Sequence, residues 1–256
     1  MLLYFSAEGN TRYVALQLAK KLGEFPIFIQ DVEAETLEWQ GDTFGILFPV
    51  WSWGVPEIML DFMQALPDRF FNRIKERKIP VWWVMTCGDE TGDAPAMLAN
   101  ALAAKGLQAS GGWSIIMPNT YVLLPGFDVD SQDLESRKLD AAPARIEHIA
   151  RCISLRRWET DFKKGSFARF KTNVIYPRFM KWGIKPEKWH STDACIGCGR
   201  CEQACPIDNI DMTDDRRPRW DNRCIGCLAC YHACPAHAVA YGNKTSRKGQ
   251  YMCPKT

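Results

Sequence analysis

Two copies of one cysteine spacing constrain this chain more than any other feature, and together they account for most of its 11 cysteines. Each copy has the form C-x2-C-x2-C-x3-C-P, with the cysteines at Cys195, Cys198, Cys201 and Cys205, and then at Cys224, Cys227, Cys230 and Cys234. Three cysteines at i, i+3 and i+6 place three thiolates around one loop, and the glycines between them let the backbone curl closely. This spacing is typical of four-iron, four-sulfur (4Fe-4S) clusters.

The fourth thiolate of each cluster must come from elsewhere, and in paired runs each run lends its last cysteine to the other cluster. We therefore predict one cluster on Cys195, Cys198, Cys201 and Cys234, and a second on Cys224, Cys227, Cys230 and Cys205. Zinc and disulfides are the two alternatives. A zinc site needs neither a third cysteine in each run nor a Cys-Pro pair. Disulfides need an oxidising compartment, and an odd number of cysteines cannot all be paired. The stretch from about residue 190 to 243 resembles bacterial two-cluster ferredoxins.

The composition limits the class of protein to which the chain can belong. A hydrophobic content of 46% permits a folded core, but no run approaches the roughly 20 apolar residues of a membrane-spanning helix. The start of the chain lacks the pattern of a signal peptide, so we expect a protein without a membrane span in the reducing cytoplasm. The net charge of +2 conceals a basic, aromatic-rich stretch between two acidic segments.

The N-terminal segment begins with a strand-like run, Leu2–Phe5, followed by a polar loop, Ser6–Thr11. A helical pattern then carries an apolar face and ends at Gly23. A loop that leads into a helix presents backbone N–H groups to an anion. Because there is neither a P-loop lysine nor G-x-G-x-x-G, we predict a phosphate site without a cation.

Further strands are predicted at Pro26–Ile29, Phe44–Val50, Val81–Met85 and Trp113–Met117, and helices at Glu57–Leu66, Pro95–Lys105 and Asp133–Arg157. This alternation predicts a five-stranded parallel sheet covered on both faces. Ligands bind such sheets at the carboxyl ends of the strands. Two loops at those ends are Pro49–Pro56, with two tryptophans, and Thr86–Asp93, with polar residues and glycines. A phosphate loop, an aromatic loop and a polar loop suit flavin mononucleotide (FMN).

The loop Ser6–Thr11 together with Ala15 resembles the flavodoxin fingerprint, and the whole chain resembles the flavodoxin–ferredoxin fusion proteins of anaerobic bacteria. The resemblance implies a flavodoxin-like, doubly wound, parallel five-stranded sheet that binds FMN. A small bacterial ferredoxin-like domain carrying two 4Fe-4S clusters would follow it. We accordingly divide the chain into an N-terminal segment (1–158), a connecting segment (159–189) and a C-terminal segment (190–256).

The resemblance also implies three sets of FMN-binding residues. The phosphate would contact Ser6, Ala7, Glu8, Gly9, Asn10 and Thr11; the ring would contact Pro49, Val50, Trp51, Ser52, Trp53 and Gly54; and the pyrimidine edge would contact Thr86, Cys87, Gly88, Asp89, Gly92 and Asp93. Glu8 replaces the threonine of the fingerprint, and we expect its carboxylate to turn outward. The long loop Pro118–Asp130 should cover the flavin or touch the C-terminal segment, with Tyr121 reaching in. Packing roles for Trp51, Trp53 and Cys87 are the alternatives.

Together these features predict an electron-transfer protein that relays electrons between FMN and the clusters, from a low-potential donor to a partner reductase or reductively activated enzyme. One alternative is a flavin-dependent reductase of a small molecule such as a quinone, and another is a redox-sensing module. A redox protein is the expected partner, and no catalytic acid–base residues are predicted. Nucleic-acid binding by the connecting segment, which we expect to pack against both modules, is disfavoured by its acidic neighbours.

Overall fold

The computed structural model describes residues 1–255. Its first part is a six-stranded parallel sheet with the strand order β2-β1-β3-β4-β5-β6. The strands are β1 (Leu2–Tyr4), β2 (Pro26–Phe28), β3 (Phe44–Pro49), β4 (Val81–Cys87), β5 (Gly111–Ile116) and β6 (Thr160–Asp161). The helices are α1 (Asn10–Leu22), α2 (Glu57–Ala65), α3 (Asp68–Glu76), α4 (Ala94–Ala104) and α5 (Gln132–Ser154).

Both faces of the sheet are buried. All seven residues of β4 are buried, which is why the central strands read as continuous apolar runs rather than as alternating patterns. Helices α2, α3 and α4 contribute apolar side chains to the core on one face, and α1 and α5 contribute to the core on the other. Gly23 ends α1 in the left-handed conformation, with φ of 67°.

The prediction of a parallel α/β sheet is confirmed, but the strand count was too low because β6 was not predicted. This strand has only two polar residues, Thr160 and Asp161, and it comes from the connecting segment. Directly after it, Phe162 stacks on Trp83 with ring centroids 6.1 Å apart. Gly112 makes room for this contact, since a Cβ there would lie 2.5 Å from the Phe162 ring. Helix α3 was also missed.

The connecting segment packs against both of its neighbours, as expected. It contains α6 (Ala168–Phe170), a π-helical turn (Lys171–Ile175) and α7 (Tyr176–Trp182). The hydroxyl of Thr172 donates to the Trp53 carbonyl at 2.6 Å, and that of Tyr176 donates to the Val55 carbonyl at 2.6 Å. Towards the other side, Ile184 packs against the core of the C-terminal segment.

The C-terminal segment consists of two small antiparallel sheets and two short helices. Strand β7 (Trp189–Ser191) pairs with β10 (Val239–Tyr241), and β8 (Ile210–Met212) pairs with β9 (Pro218–Trp220). Helices α8 (Arg200–Gln203) and α9 (Ala229–His232) follow the cysteine loops. Val122 and Leu123 of the N-terminal segment are buried in this core, so the loop Pro118–Asp130 touches the C-terminal segment. None of the helices among residues 1–255 is long and apolar enough to cross a membrane.

The end of the chain returns to the N-terminal segment. The Tyr251 hydroxyl donates to Asn10 Oδ1 at 2.7 Å, and the Cys253 amide donates to the Glu8 carbonyl at 2.8 Å. His232 forms a further bridge, because its Nε2 atom lies 2.7 Å from the Thr120 carbonyl while its Nδ1 atom accepts from the Tyr251 amide at 3.1 Å. The two halves of the chain therefore share buried hydrogen bonds as well as an apolar core.

Replacing Tyr251 with Phe should destabilise the fold, because it removes the hydroxyl that donates to Asn10 and leaves a buried amide oxygen without this donor. A cost of about 1–3 kcal/mol is expected for such a group. Anaerobic unfolding in denaturant would measure it. Met252→Ala is the matched control, since its side chain is 45% exposed; equal stability of the two variants would contradict the role given to this bond.

Candidate functional site

The first cysteine group surrounds a small closed space. Cys195, Cys198, Cys201 and Cys234 all line a void of about 20 Å³. Cys234 thus lies with the first run and not with its own. Gly197 and Gly199 have φ values of 66° and 73°, the left-handed conformation that lets the loop curl around the void. Cys198 is exposed at the surface of the molecule.

The second group forms around Cys224, Cys227 and Cys230. Cys205 is close enough to Cys224 and Cys230 to affect the pKa of both thiols, and Cys227 is similarly close to Cys224 and Cys230. Trp189 and Trp220 pack against this group, with stacked rings 6.3 Å apart. The fourth thiol here comes from the first run.

Burial raises the pKa of four of these eight thiols. It raises the pKa of Cys201 to about 11, and the pKa values of Cys224, Cys227 and Cys230 rise for the same reason. Thiolates are the ligands of iron–sulfur clusters, so metal binding must displace these protons.

A cavity of about 500 Å³ lies at the carboxyl ends of β1, β3, β4 and β5. The predicted residues that line it are Ser6, Ala7, Glu8, Asn10, Thr11, Pro49, Val50, Trp51, Ser52, Trp53, Thr86, Cys87, Gly88, Asp89 and Tyr121. Its volume is typical of sites for small ligands and cofactors. The three loops that sequence analysis grouped therefore meet around one space.

Four predicted residues do not line the cavity: Gly9, Gly54, Gly92 and Asp93. Asp93 faces the connecting segment instead, where its amide donates to Thr172 Oγ1 at 2.7 Å and its carboxylate pairs with Lys164 at 3.0 Å. Gly54 lies against Tyr176, since a Cβ would meet that ring at 2.2 Å. At Gly54, Gly92 and Asp93 the two loops therefore contact the connecting segment and not the cavity.

Several polar side chains of the cavity wall are bonded to other protein groups. Asn10 Nδ2 donates to the Pro118 carbonyl at 3.0 Å while its Oδ1 accepts from Tyr251. The hydroxyls of Thr11 and Thr86 lie 2.7 Å apart and are buried. These side chains join the first loop to its neighbours and fix its shape.

The expectation that Glu8 turns outward is wrong. Its side chain lines the cavity and the residue is only 6% exposed. The tail binds the backbone at this position, because the Cys253 amide donates to the Glu8 carbonyl. Burial raises the pKa of Glu8 to about 8, so the carboxyl is mostly neutral at pH 7 and does not repel a bound anion as a carboxylate would.

Glu90 also lines the cavity. It accepts a hydrogen bond from Trp53 Nε1 at 2.8 Å and pairs with Lys171 of the connecting segment. The Lys171 ammonium also lies 5.3 Å from the centre of the Trp53 ring. Among the described residues 1–255, no Lys, Arg or His lines the cavity itself.

One wall of the cavity comes from the second cysteine run, through Gly226, Cys227 and Leu228. Leu228 is buried and left-handed, with φ of 65°, at the position where the first run has Gly199. A left-handed conformation costs a residue with a Cβ about 1–2 kcal/mol. The sequence analysis did not predict that the second cysteine run lines the cavity. The signal that could have indicated it is that the second run has Leu228 where the first run has Gly199.

Comparison with known families supports the interpretation of the cysteine runs. Residues 186–240 match the family described as 4Fe-4S dicluster domain. The C-terminal part is a ferredoxin-like iron–sulfur domain. A domain that binds 4Fe-4S clusters points to electron transfer. No curated protein matches the chain.

The pKa of Glu8 makes stability depend on pH. An unfolded glutamate ionises near its ordinary pKa of 4.5, whereas the folded carboxyl keeps its proton up to about pH 8. The free energy of unfolding should therefore fall between these two pH values, by at most about 1.4 kcal/mol per pH unit. Glu8→Gln should remove this contribution.

The test compares anaerobic unfolding of the unmodified protein and Glu8→Gln at about pH 5.5 and about pH 7.5. As the pH rises, Glu8→Gln should become more stable relative to the unmodified protein. Glu38→Gln, which removes an exposed carboxyl, is the control and should follow the unmodified protein. A Glu8→Gln curve parallel to the control would show that Glu8 is ionised in the folded protein.

Proposed function

We propose that the protein transfers electrons between FMN, held in the cavity, and two 4Fe-4S clusters, and that it links a low-potential donor to a partner reductase or reductively activated enzyme. The observation that carries the proposal is that the same cavity is lined by loops of the parallel sheet and by Gly226, Cys227 and Leu228 of the second cysteine run. A ligand in the cavity would therefore touch the loop that holds a cluster.

The residues present suit FMN. The strand order of the first five strands is 2-1-3-4-5, the order of flavodoxin-like sheets, in which FMN binds at the carboxyl ends of strands near the switch point. Helix α1 begins at Asn10 beside the cavity, and its N-terminus favours a phosphate. Trp51 and Trp53 offer apolar surface for a flat ring, while the pKa of Glu8 leaves that carboxyl mostly neutral at pH 7.

When bound, FMN would supply a centre that exchanges one or two electrons. The chain's own residues hold this centre and shape its surroundings. Thr11 and Thr86 fix the first loop to the third, Tyr121 and Phe179 close the cavity with ring centroids 5.5 Å apart, and Lys171 balances the charge of Glu90.

The positions of the two cysteine groups suggest an order for the relay. The group of Cys205, Cys224, Cys227 and Cys230 would hold the proximal cluster, because Cys227 lines the cavity. The group that includes Cys198 would hold the distal cluster, because Cys198 is exposed. Its neighbour Ile196 is 66% exposed. We propose this surface as the point where electrons pass to or from a redox protein.

The same reasoning supports the division into three parts. Segment 1–158 would form the FMN module, 190–256 the cluster module, and 159–189 the clasp between them. Lys164 and Lys171 of the clasp pair with Asp93 and Glu90, so part of its positive charge serves this packing and not a nucleic acid.

Cofactor analysis tests the proposal. Protein purified without oxygen should contain about eight iron atoms, about eight inorganic sulfides and one FMN per chain. Cys234→Ser and Cys205→Ser should each lose about half of the iron, whereas Cys253→Ser, outside both groups, should lose none. About one or two zinc ions without sulfide would contradict the clusters, and absence of flavin from protein with intact clusters would contradict the FMN site.

A further inference from the structure

A second group of metal-ligating side chains lies outside the cavity and the cysteine groups described above. His148 and Cys152 are one helical turn apart on α5, and Glu159 directly precedes β6. His148 Nε2 lies 3.1 Å from Glu159 Oε2 and 3.6 Å from Cys152 Sγ. The three candidate ligand atoms all lie within 4.8 Å of one another. We propose that these three residues bind a zinc ion.

Two of the three distances between the ligand atoms fit tetrahedral zinc. With Zn–N and Zn–O bonds near 2.0–2.1 Å and a Zn–S bond near 2.3 Å, tetrahedral angles place N and O about 3.3 Å apart and N and S about 3.5 Å apart. The two measured separations, 3.1 Å and 3.6 Å, differ from these values by only about 0.2 Å or less. Small rotations of the side chains would therefore complete the site.

The backbone around the site is already folded to hold these residues together. Helix α5 ends in a Schellman motif: the Arg157 amide donates to the Cys152 carbonyl at 2.8 Å, and the Arg156 amide donates to the Ile153 carbonyl at 3.0 Å. Arg156 is left-handed, with φ of 52°. The chain then reverses, and the Glu159 carbonyl accepts the Gly112 amide of β5 at 2.9 Å. Glu159 is thus fixed beside the last turns of α5.

The chemistry of the three ligands favours zinc over other divalent ions. Imidazole, thiolate and carboxylate together suit a borderline metal, whereas Mg²⁺ and Ca²⁺ prefer oxygen ligands alone. A thiolate and a carboxylate would balance the charge of Zn²⁺. The second carboxylate oxygen, Glu159 Oε1, lies 3.5 Å from Arg157 Nη2, which leaves Oε2 for the metal. The His148 side chain is 45% exposed, so a water molecule can occupy the fourth position.

The geometry does not suit a nucleophilic triad. In such a triad the base contacts the nucleophile through one ring nitrogen and the orienting carboxylate through the other. Here both Cys152 and Glu159 approach the same atom, Nε2 of His148. Convergence on one point is the arrangement that a metal ion requires.

The location indicates what the ion would do. Strand β6 runs parallel to β5, so Glu159 lies at the amino ends of the strands, opposite the cavity. Zinc would fasten the start of the connecting segment to α5. We infer a structural site that stabilises the sixth strand and thereby the attachment of the clasp.

The experiment uses the full chain with its clusters loaded, under anaerobic conditions, and a chromophoric chelator that competes for Zn²⁺. One zinc ion per chain should bind, and X-ray absorption at the zinc edge should show one sulfur and lighter N/O ligands. His148→Ala, Cys152→Ser and Glu159→Gln should each weaken binding, by more than about 100-fold for the first two. Cys152→Ser should also remove the sulfur signal.

Two variants are matched controls: Glu147→Gln removes the exposed carboxyl next to His148, and His190→Ala removes an exposed histidine elsewhere. Both should bind zinc as the unmodified protein does. The thermal midpoint should rise with Zn²⁺ in the unmodified protein and the controls but not in Cys152→Ser. Failure to bind zinc while iron content is unchanged would overturn the proposal, as would a sulfur signal that survives Cys152→Ser.

Discussion

A closed ring of hydrogen bonds around His232 holds the two halves of the chain together. The His232 side chain joins the Thr120 carbonyl to the Tyr251 amide, the Tyr251 hydroxyl binds Asn10, and Asn10 binds the Pro118 carbonyl two residues from Thr120. Burial lowers the pKa of His232 to about 4. The imidazole of His232 is therefore neutral at pH 7. One of its nitrogens donates to the Thr120 carbonyl and the other accepts from the Tyr251 amide.

This ring sets the position of the cavity wall. Helix α9, which carries His232, begins directly after Leu228. The bond from His232 to the Thr120 carbonyl, in the loop after β5, therefore also holds Leu228 and Cys227 in position. The apolar contacts of Val122 and Leu123 also hold the C-terminal segment against the loop after β5. A small cysteine-rich domain has little apolar core of its own, and here the loop Pro118–Asp130 supplies part of it. The proximity of the second cysteine group to the cavity is thus a consequence of folding.

Much of the fold and part of the site could be predicted from sequence, because both depend on local patterns. The apolar runs of β3 and β4 and the cysteine spacing are of this kind. The side of a loop that faces the cavity could not be predicted in this way, because it depends on segments far away in the sequence. The connecting segment covers Gly92 and Asp93, and the tail binds the backbone of Glu8. Strand β6 is too short and polar for any pattern.

We propose that electrons pass within one chain between the cavity and the second cysteine group. The direct measurement is rapid anaerobic mixing of protein reduced at the proposed flavin with an acceptor that oxidises only the proposed clusters. We predict that flavin oxidation follows cluster oxidation at a rate independent of protein concentration, and that Cys205→Ser abolishes this phase. A rate that rises in proportion to concentration, or one that Cys205→Ser leaves unchanged, would contradict the account.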